Sequence, residues 1–62
     1  MYTQQELVVT KSELDQRIGL LHRHMMSQLY DKRTELEKDR LMRLHIAMSQ
    51  QSGILGEMIG AL

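Results

Sequence analysis

Three histidines, His22, His24 and His45, are the side chains of this chain best suited to hold a metal ion or move a proton. Their spacing argues against both roles. His22 and His24 stand two apart, and helical side chains at that separation do not face one another, so they form no chelating pair. His45 approaches His22 only if the chain folds back or meets a second copy, and no acidic partner stands nearby to orient a metal ligand. Solvated or half-buried rim positions are the expected places for all three. Because the chain contains no cysteine, disulfides and cysteine-based zinc sites are excluded.

Hydrolytic chemistry needs a nucleophile, a base and an orienting acid, usually carried on loops held by a scaffold. Ser12, Ser27, Ser49 and Ser52 fall instead on helical stretches or their ends, where capping or solvent exposure accounts for them. No glycine cluster follows a strand, so a phosphate-cradling loop is absent as well. The chain is therefore read as a non-enzyme, with no catalytic residue, no metal ligand and no cofactor.

The charged stretch from Asp31 to Arg43 poses a different question. A surface that tracks phosphates concentrates Lys and Arg, but here Asp31, Glu35, Glu37 and Asp39 are interleaved with the cations and repel the same phosphates. A solvated face is the preferred reading. The alternative is a nucleic-acid-binding helical-bundle regulator, in which a dimer aligns Lys32, Arg33, Arg40 and Arg43 into a stripe.

These residues must be positioned by helices. The chain has no proline and only four glycines, and from Lys11 to Gln51 it is dominated by Leu, Met, Glu, Lys, Arg and Gln, which lose little freedom in a helix. Thr3 with Glu6, Thr10 with Glu13 and Thr34 with Glu37 each place a hydroxyl three residues before a carboxylate, the pattern of a capping box. Thr10 is taken as the first start. Beyond it Leu14, Ile18, Leu21, Met25 and Leu29 recur at spacings of four and three, as one face of an amphipathic helix does.

A second stripe runs through Leu41, Leu44, Met48, Gln51, Leu55, Met58 and Leu62. Projected at about 100° per residue, it lies about 120° around the helix axis from the first, so one straight helix would not present both to one partner. A turn near residues 30–34 removes the mismatch. The expectation is an all-α, two-helix hairpin: lead-in 1–10, helix 11–30, helix 34–52 and apolar tail 54–62, after a stop at Ser52 and Gly53. One long helix with a short C-terminal helix is the rival. The proposed turn has no Gly, Pro or Asn, and Arg33–Glu37 and Asp39–Arg43 are favourable pairs within continuous helix.

With 62 residues the chain forms at most one small domain, which buries a modest fraction of its surface. Phe and Trp are absent, so Leu, Ile and six Met must build the core, and oligomerisation is the remaining usual remedy for marginal stability. Eight acidic residues balance eight basic ones, which favours neither nucleic acid nor an anionic membrane. The apolar run from Gly53 to Leu62 is too short to span a bilayer, and Met1 to Glu6 lacks the basic and apolar regions of a signal peptide, so a cytoplasmic address is expected.

The tetrad Ser12-Glu13-Leu14-Asp15 resembles part of the signature of the small sporulation-type aspartyl-phosphate phosphatases, which are short helical hairpins. That signature has a further residue between serine and glutamate and lies in the second helix, so their activity is not carried over.

Function is accordingly expected from helix packing: an adaptor, co-chaperone or regulator that assembles as a helical bundle or coiled-coil oligomer, with itself or another helical protein. The packed seam is assigned to Leu14, Ile18, Leu21, Met25, Leu41, Leu44 and Met48, and the partner-facing tail to Leu55, Met58, Ile59 and Leu62.

Overall fold

The computed structural model describes residues 2–62 and contains three helices, α1 (Gln4–Met25), α2 (Gln28–Asp31) and α3 (Glu35–Gly60). The two long helices pack against each other as an all-α hairpin, with α2 inside the connection. Lys11 meets Ser52 and His22 meets His45, so α1 and α3 run antiparallel.

Helix α1 begins seven residues before the expected start at Thr10. Thr3, in extended backbone, accepts a hydrogen bond from the Glu6 amide at 3.1 Å, and its hydroxyl donates to the Glu6 carboxylate at 3.2 Å. This earlier capping box prevails because the first turn it starts carries Leu7 into the hairpin seam, where it is 2 % exposed. The lead-in expected over 1–10 is thus helical from Gln4.

The helix expected to reach residue 30 stops at Met25 instead. The Ser27 hydroxyl donates to the His24 carbonyl at 2.6 Å and the Met26 amide bonds to the His22 carbonyl, which satisfies carbonyls left over by the helix end without any left-handed residue. Leu29, which continued the first stripe on paper, falls on the short helix α2 and is exposed. The reversal therefore uses breaks on both sides of α2, around residues 26–27 and 32–34, where one turn had been expected.

Thr34 caps α3 by accepting from the Glu37 amide at 3.2 Å. Arg33–Glu37 and Arg43–Asp39 do form ion pairs, but the first spans the cap, so it belongs to the hairpin as readily as to a continuous helix. The stop expected at Ser52 and Gly53, and the separate tail over 54–62, are replaced by uninterrupted helix to Gly60. Ser52 turns into the seam, where its hydroxyl finds side-chain partners, and Gly53 keeps a right-handed helical backbone.

Among the α1 residues withdrawn from solvent, Leu7, Lys11, Leu14, Ile18, Leu21 and Met25 follow a strict four-three alternation. On α3 the matching set is Leu41, His45, Met48, Ser52, Leu55 and Ile59. Both follow the 3.5-residue repeat of a coiled-coil seam. The molecule is a rod of 43 × 16 × 16 Å.

Candidate interaction surface

Two of the three polar positions in the seam sit together. The Lys11 ammonium lies 2.8 Å from one Asp15 carboxylate oxygen and donates to the Ser52 hydroxyl at 3.1 Å, while that hydroxyl donates to the other Asp15 oxygen. The Lys11 bond, and then the Ser52 bond, hold the Asp15 carboxyl below its ordinary range. A carboxylate so stabilised is a weak base, and Ser52 stands mid-helix, where its backbone amide is used within the helix. The network instead satisfies a serine that is 8 % exposed and fixes the register of α1 on α3. Lys11 and Asp15 have the four-residue spacing of a helical pair, but nothing in the sequence marked Ser52 as their partner.

Toward the connection the polar contacts link three elements. His22 and His45 lie with ring centroids 6.1 Å apart, an approach the sequence left conditional on folding back. His24 Nε2 accepts from Arg33 Nε at 2.9 Å and packs edge-on to Tyr30, whose ring lies 5.7 Å from the Lys38 ammonium. The Arg33 guanidinium also pairs with Glu37, which is held below its ordinary carboxyl range first by that bond and then by Thr34. Among the described residues, no group of three or more His, Asp or Glu side chains is placed to hold a metal ion.

Of the cations assigned to the nucleic-acid alternative, Arg33 and Arg43 are neutralised by Glu37 and Asp39. Lys32 and Arg40 take part in no ion pair among the described residues. The stretch therefore presents mixed charge along α3 rather than a continuous basic stripe.

The apolar candidates divide between two faces. Leu14, Ile18, Leu21, Met25, Leu41, Met48, Leu55 and Ile59 are half-buried in the hairpin seam. Leu44, Met58 and Leu62 remain 48 %, 40 % and 69 % exposed. The second stripe had been drawn through Leu44, Gln51 and Met58, but the seam instead takes His45, Ser52 and Ile59 while sharing Leu41, Met48 and Leu55. Both choices satisfy a three-four spacing, and they differ by a modest rotation of the helix. The contacts of His45 with His22, and of Ser52 with Asp15 and Lys11, belong to the observed rotation.

That rotation leaves an apolar row along one flank of the hairpin. Ile54 joins Leu44 and Met58 there, and Leu20 of α1 and Leu62 beyond the end of α3 are exposed as well. A shallow groove follows this flank between the helices, lined by Thr10, Glu13 and Arg17 of α1 and by Gln51, Ile54 and Leu55 of α3.

No family model, no curated protein and no solved structure matches this chain. The surface must therefore be interpreted from its own chemistry. Among the described residues, no helix is long and apolar enough to cross a membrane.

Proposed function

We propose that this protein is a helical protein–protein interaction module, an adaptor, co-chaperone or regulator, that completes its core by docking the flank of the hairpin against helices of another chain. The supporting observation is surface area. A compact folded chain of 7.3 kDa exposes about 4,150 Å², whereas this hairpin exposes 4955 Å². The excess, about 800 Å², goes with the elongated shape of the 43 × 16 × 16 Å rod and is of the order that one partner contributes to a standard protein–protein interface.

The exposed area is apolar where it matters. Leu44, Ile54 and Met58 share one flank, and at about 25 cal/mol per Å² such a row gains several kcal/mol on being covered. A seam in which Leu7 is the only hydrophobic side chain buried among the described residues supplies little of its own.

Two substitutions separate docking from folding. Leu21→Asp places a charge inside the hairpin seam and abolishes helicity measured by circular dichroism. Leu44→Asp leaves the hairpin helical but reduces the mass measured by light scattering to that of one chain. A wild-type chain that stays monomeric and has slowly exchanging amides throughout contradicts the reading.

A further inference from the structure

We infer that the chain docking on this flank is a second copy of the protein, packed face to face about a two-fold axis that crosses the hairpin at the level of Asp15 and Gln51, to give an antiparallel four-helix bundle. The inference rests on the interaction reading above and names its partner, on two observations: the area match and the complementarity of the groove to itself.

Asp15 and Ser52 are hydrogen-bonded across the seam, so Asp15 and Gln51 lie at nearly the same height along the rod. A two-fold axis at that height, perpendicular to the helices, sets α3 antiparallel to α3 of the second copy and α1 antiparallel to its α1. On α3 it places Leu44 opposite Met58 of the second copy, and Met58 opposite its Leu44. Gln51, the polar member of the row, faces itself. A glutamine amide both donates and accepts, so two such side chains satisfy one another at the axis.

On α1 the same axis places Glu13 opposite Arg17 of the second copy, and Arg17 opposite its Glu13. Both residues line the groove, and neither takes part in an ion pair among the described residues. One operator thus pairs apolar with apolar on α3 and acid with base on α1. A chain of zero formal charge meets its own copy without net repulsion. On the opposite flank Val8, Met42 and Ile46 are exposed, but an axis at the same level sets Met42 opposite Gly60 and Ile46 opposite Gly56, so no apolar pairs form there.

The absence of native cysteine makes the test clean. Gln51→Cys and Ile46→Cys are each treated with a short bis-maleimide, in parallel with light scattering and amide exchange on the wild-type chain. The inference expects a mass twice 7.3 kDa and rapid covalent dimer from Gln51→Cys but not from Ile46→Cys. Glu13→Arg and Arg17→Glu should each weaken the dimer by about tenfold, and the double exchange should restore it.

A dimer bridged through Cys at 46 rather than 51 overturns this geometry while leaving the interaction reading in place. A monomer whose Leu44 and Met58 amides exchange rapidly has the same consequence, since the flank then awaits a different helical chain. A monomer with slowly exchanging amides overturns both.

Discussion

Ser52 is the residue on which the hairpin's register depends most specifically, because its hydroxyl joins both members of an α1 ion pair. Ser52→Ala removes two hydrogen bonds from a largely buried position and should lower stability by about 1 kcal/mol in urea denaturation, with the Asp15 carboxyl moving back toward its ordinary value in a proton titration. Asp15 and Glu37 are both held below their usual range in the folded chain. Each therefore contributes stability that is fully present above the unfolded carboxyl value, about 4, and is lost as pH falls through the lower folded value. Asp15→Asn should flatten that acid limb in thermal melts recorded as a function of pH. The pair Arg33–Glu37 was read from four-residue spacing alone, whereas Lys11–Asp15, of the same spacing, went unremarked and Ser52 could not be read at all. A serine beside a glycine signals a helix end, and only the partner helix supplies the acceptor that draws it inward.

The long helices owe their starts to local chemistry and their length to packing. Thr34 caps as the sequence suggests, Thr3 caps where Thr10 had been expected to, and Thr34→Ala should cost about 1 kcal/mol, measured as a lower unfolding midpoint. Thr10, the preferred capping box on paper, is absorbed into α1 because the earlier start also buries Leu7. The end of α1 was harder to foresee, since the reversal contains no Gly, Pro or positive backbone φ and relies on Ser27 bonding back to His24. Which α3 face turns inward was ambiguous for a different reason. Rows through Leu44 and through His45 have the same spacing, and only contacts with α1 distinguish them. Gly19 and Gly53 sit inside helices with nothing within 4 Å of where a Cβ would stand. Gly19→Ala and Gly53→Ala should each stabilise the chain by about 0.5–1 kcal/mol, raising the melting temperature by several degrees. If either lowers it, that glycine serves a contact outside the hairpin.

At the scale of the whole molecule, a 43 Å rod built from two long helices buries one seam and leaves a second apolar row on its flank. The all-α hairpin was legible from composition and the two stripes, and so was the surplus of apolar surface over what one fold-back can hide. The position of that surplus was not, because it depends on the rotation of α3. Leu55 and Ile59, assigned to a partner-facing tail, serve the seam, while Leu44, assigned to the seam, lies on the flank. If the flank is covered by another chain, folding and association are linked, and the melting temperature should rise with protein concentration. The most direct test is the molecular mass of the wild-type chain by sedimentation equilibrium over a wide dilution series, with helicity followed in the same samples. The account predicts a species heavier than 7.3 kDa that dissociates on dilution into single helical hairpins. A single chain that keeps its mass and full helicity at every concentration would contradict it.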